Sequence, residues 1–135
     1  MANLSDYMEQ KIINWLLRAT AMGTAPANVY IALFTAAPSD SGGGTEVTGG
    51  SYARATVSTT GSFGAPAAAG LTDNLADITF PAPTANWGTV THIGIFDALT
   101  AGNLLLHGVL TTSKVINSGD QAPKIALGAL DITLA

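Results

Sequence analysis

Two histidines, His92 and His107, and a scatter of aspartates are the residues of this sequence most able to do chemistry. With Asp97 they make three side chains of metal-ligating type. Whether they meet depends on strand register, and a one-residue slip sends a side chain to the opposite face of a sheet. Zinc sites show tight, defined ligand spacing. Nothing of that kind surrounds His92 or His107, which lie among Thr91, Ile93, Leu106 and Gly108. Both read as half-buried polar residues, so no metal and no cofactor is expected. Asp73 and Asp77 are four apart and have the types of an acid–base carboxylate pair. They flank the start of an expected strand, however, and Asp97 and Asp120 border expected turns, where aspartate is a common turn former. Gly49-Gly-Ser-Tyr-Ala53 is not a nucleophile elbow. The glycine run at 42–44 lacks the Gly-Lys-Ser/Thr ending of a phosphate loop. No nucleophile, base and orienting group assemble, so no catalytic residue is assigned and the expectation is a protein that is not an enzyme.

Composition points the same way. Charged residues are 10% of the 135-residue chain, against about 25% in an average soluble protein, while hydrophobic residues reach 47%. Disordered chains combine the opposite extremes. A subunit that hides surface against neighbours has less need of charge, because a desolvated, unpaired ion in an interface is costly. The five basic residues, Lys11, Arg18, Arg54, Lys114 and Lys124, are scattered. They form no stripe to track a phosphate backbone, so no nucleic acid is expected as a partner. Cysteine is absent, which removes disulfides and thiol nucleophiles. Asp6 and Glu9 precede the apolar stretch from Ile12 to Leu17, unlike a secretory signal. No apolar run has the length of a membrane span, so no membrane partner is expected.

The elements that would position these residues are mostly strands, in one expected domain covering 1–135. Helical periodicity occurs at 4–22, where Leu4, Met8, Ile12, Trp15, Leu16 and Ala19 recur at three- and four-residue steps. Asn3 or Ser5 can cap its start, and Gly23 follows as a stop. From 28 to 135 the period shortens. Strands are expected at 29–35, 52–60, 76–80, 114–117, 122–126 and 129–134, with a hairpin joining 89–97 to 103–110 across a five-residue connection. Gly and Pro turns between so many strands predict a mainly β fold, an antiparallel β-sandwich of jelly-roll or Greek-key type with one N-terminal amphipathic α-helix. The loops at 36–50 and 61–75 are long, which fits partner-ordered segments and tolerated insertions equally well.

The apolar face of the helix has two readings. It can lid the chain's own sandwich, burying Ile12, Trp15 and Leu16, which is the reading favoured by the sequence, or it can dock on a neighbouring subunit. Candidate subunit-contact residues are Tyr7, Ile12, Trp15, Leu16, Tyr30 and Trp87, with the aromatics as the expected anchors.

Several long segments carry a family resemblance. They are Val29-Tyr-Ile-Ala-Leu-Phe-Thr-Ala-Ala-Pro-Ser-Asp40, Gly42-Gly-Gly-Thr-Glu-Val47, Gly49-Gly-Ser-Tyr-Ala-Arg54, Trp87-Gly-Thr-Val-Thr-His-Ile-Gly-Ile-Phe-Asp97, Asn103-Leu-Leu-Leu-His-Gly108 and Asp131-Ile-Thr-Leu134. Over nearly its whole length the chain resembles the small virion proteins of tailed bacteriophages that are usually labelled phage tail fibre proteins. The resemblance implies a non-enzymatic structural subunit of the virion, of tail fibre or tail-adaptor type, assembled in the host cytoplasm. Its implied partners are itself, with a homo-trimer expected, and other phage virion proteins, with a host surface receptor as a further candidate. Capsid decoration (cement) is the alternative role. A carbohydrate-binding module at a fibre tip is a further one, for which Tyr52, Asn86 and Trp87 are the candidate residues.

Overall fold

The computed structural model describes residues 2–134. The chain opens with a short strand, β1 (Asn3–Leu4), and the helix α1 (Asp6–Arg18). It continues through β2 (Asn28–Ala36), β3 (Thr45–Glu46), β4 (Ala55–Ser58), β5 (Leu71–Thr72), β6 (Ile78–Thr79), β7 (Gly88–Phe96), β8 (Leu104–Ile116), β9 (Lys124–Ile125) and β10 (Ile132–Thr133). The fold is mainly β, with antiparallel pairings and one helix near the N-terminus, as the sequence predicts.

One six-stranded sheet dominates, in the order β1-β8-β7-β2-β3, with β4 also pairing to β2. Two short ribbons, β5–β10 and β6–β9, complete the fold. The strand pairing therefore describes one large sheet with two small ribbons, not two matched sheets of a jelly roll.

The central strand β2 shows why. Side chains alternate between faces along a strand, and in β2 both sets are apolar: Val29, Ile31 and Leu33 on one face, Ala32 and Phe34 on the other. The first set joins Val57, Val90, Ile93, Ile95 and Ile116 to make the core, closed by Ile78 and Phe80 near one ribbon and by Leu130 and Ile132 near the other. On the second face Phe34 and Phe96 stack with ring centres 6.3 Å apart. Gly94 leaves the room for this packing, since a Cβ there would lie 2.9 Å from Phe34 and 3.0 Å from Leu104.

Further sequence expectations change: the strands expected at 52–60, 76–80, 122–126 and 129–134 are shorter, at 55–58, 78–79, 124–125 and 132–133. The helix runs 6–18 rather than 4–22, because Leu4 pairs with Leu106 in β1–β8 and Ala19 ends the helix in a left-handed conformation (φ 53°). The strands expected at 103–110 and 114–117 are one long strand, β8, whose register against β7 jumps between His92–Val109 and Val90–Lys114, so that residues 110–113 bulge out of the ladder. The core is covered by the ribbons and not by α1.

Candidate interaction surface

Ser5 decides where the helix goes. Its side chain is buried, accepts from the Met8 N–H at 3.3 Å as the N-cap, and donates to the Leu104 carbonyl. The Ser5 N–H donates to the Leu105 carbonyl at 3.0 Å, and the Asp6 N–H to the Asp40 carbonyl at 2.9 Å. Asp6 and Glu9 lie at the positive end of the helix dipole and Arg18 at the negative end, as electrostatics favours. After Ala19 the chain runs back, exposed over 19–27, with the Lys11 Nζ reaching the Met22 carbonyl at 3.4 Å. It rejoins the body where the Thr59 hydroxyl donates to the Pro26 carbonyl at 2.6 Å. Residues 6–27 thus form an arm fixed at both roots.

No residue of α1 is buried. Met8 and Ile12 are half-buried, but Trp15 is 55%, Leu16 62% and Leu17 79% exposed, with Ile13 and Tyr7 also exposed. The lid reading of the helix face is thereby overturned for Trp15 and Leu16, which leave the chain's own core untouched. Of the other expected contact residues, Tyr30 is half-buried on β2 opposite Phe96. Trp87 is a core plug: its Nε1 donates to the Gly50 carbonyl at 3.0 Å and its ring meets Tyr52 edge-on at 5.3 Å. Its burial also takes away the exposed stacking platform that a sugar site built on Tyr52 and Trp87 would use.

Beside the arm's root lies a cleft of about 520 Å³ between Phe34, Phe96, Arg54, Glu46, Asp40 and the glycines 42–44. Arg54 is the hub. It grips both carboxylate oxygens of Glu46, through Nε at 2.8 Å and Nη2 at 2.7 Å, while Nη1 donates to the carbonyls of Ala98 and Ala101. Its guanidinium lies 3.6 Å from the centre of the Phe96 ring. The Tyr52 hydroxyl accepts from the Leu33 N–H at 2.9 Å and donates to Glu46 at 3.0 Å. Burial pushes this phenol far above its ordinary value. With Glu46 and two carbonyls occupying Arg54, the cluster ties the 97–103 turn to β3; it does not hold out a free cation to a ligand. Its signal in the sequence is a Glu and an Arg flanking the Gly49–Gly50 turn, a spacing that does not by itself mark a pair.

The histidines share the β7–β8 ladder, where His92 faces Val109 and His107 faces Gly94, but not a site. The buried His107 pairs with Asp40, Nε2 to Oδ1 at 2.9 Å, whereas His92 Nδ1 lies 2.8 Å from the Thr91 hydroxyl. Asp97 accepts from Asn103 at the turn. No group of three metal-ligating side chains, and no serine paired to either histidine, occurs among the described residues. Asp77 is held by Lys124 at 2.6 Å, which lowers its carboxyl below the usual value, together with the Leu127 N–H. Asp73 lies beside Gly64 and Gly128. No helix among the described residues is long and apolar enough to cross a membrane.

The surface that results has an exposed apolar arm, and no reactive group assembles among the described residues. No curated protein matches the chain. Residues 3–133 match the family model described as podophage GP4 fiber I protein gp80, and by that match over nearly its whole length the chain belongs to this family of phage fibre proteins.

Proposed function

We propose that the chain is a structural fibre subunit of a podophage-type virion, acting by self-association as a homo-trimer and by docking on other virion proteins. Membership in the fibre family makes it a virion component. The observation that carries the finer reading is the arm: Trp15, Leu16 and Leu17 are exposed together on a helix whose own chain needs none of them for its core. Contiguous exposed apolar surface of this kind marks a protein–protein contact. The low charge of the chain fits such a contact, since few ions must lose water when copies meet. Fibre function then follows from geometry: a subunit that presents the same surfaces on every copy builds a symmetric assembly without catalysing anything.

Light scattering or native mass spectrometry on the purified full-length chain tests this. A trimer is the expected species, and cryo-EM of the particle places it in the fibre. A chain that stays monomeric at tens of micromolar and is missing from the fibre density overturns the reading.

A further inference from the structure

We draw no further inference here: the strongest candidate, the exposed apolar surface of the α1 arm at Ile13, Leu16 and Leu17, belongs to the self-association already proposed, and nothing in the structure shows which surface covers it.

Discussion

Arg54 and Glu46 meet where the turn after β7 comes down on β3, and the arginine side chain is only 8% exposed. Replacing one member of a buried pair strands the other, which costs far more than losing a surface salt bridge. Arg54→Ala is expected to destabilise the chain by about 3 kcal/mol, read as a lower urea midpoint at unchanged slope. Arg54→Lys should recover only part of this, because an ammonium lacks the planar fork that grips Glu46 and two carbonyls together. A lysine variant as stable as the parent would show that charge alone suffices. Tyr52 in the same cluster sets an alkaline limit. Its folded value is raised by burial, so the folded state keeps the phenol proton after the unfolded chain begins to lose it near the ordinary 10.0. The contribution is thus whole below pH 10 and declines as the pH climbs from there toward the folded value. Tyr52→Phe should lose stability at neutral pH, through the Leu33 N–H left without an acceptor, and show a shallower fall above pH 10. Identical alkaline profiles for parent and variant would remove Tyr52 from that role.

Elements are decided partly by single side chains of this kind, and Ser5 is the sharpest case. It caps α1 and bonds the Leu104 carbonyl from a buried position, so Ser5→Ala loses a cap and leaves a carbonyl unpaired, for about 1–2 kcal/mol. The effect belongs to the arm: amide exchange over 6–18 and protease cleavage within 6–27 should both speed up, with the main sheet unchanged. Uniform loosening of the whole chain would mean that Ser5 holds the sheet instead. Strands with a strong local pattern were legible from sequence. Val29 to Thr35 reads as buried on both faces and proves to be the central strand, and β4 shows the alternation expected around Ala55 and Val57. The hairpin of β7 and β8 was legible too, through its glycine-bearing turn. What escaped has a common cause. β1, β3 and β5 are two residues each and exist through distant partners such as Leu4 with Leu106 or Thr72 with Ile132, and so short a strand has no periodicity to read. The long loops hide their order in the same way: the buried Asn74 accepts from the Leu130 N–H and donates to the Ala126 carbonyl, more than fifty positions away. Helix amphipathicity gave α1 but not its direction of packing, since an apolar stripe is the same pattern whether it meets its own core or a neighbour's.

At the scale of the whole molecule, the charge deficit and the exposed arm have a joint consequence for the proposed self-association. The chain carries five basic and nine acidic residues, and the Arg54–Glu46 and Lys124–Asp77 pairs are spent inside the subunit. An interface made from Trp15, Leu16 and Leu17 draws on apolar burial, at about 25 cal/mol per Å², and apolar burial is not screened by salt. Raising sodium chloride from about 0.05 to about 1 M shortens the Debye length from over 10 Å to about 3 Å, yet should leave the oligomer intact. Sulfate should tighten the assembly, because it is excluded from protein surface and favours burial. Folding and assembly are then linked by mass action, so the melting temperature should rise with protein concentration. The Leu16→Glu/Leu17→Glu variant should melt at one temperature whatever its concentration, since it places two carboxylates where the contact is driest. Dissociation of the parent by sodium chloride alone would instead mean that ions hold the copies together, and would move the contact away from the arm.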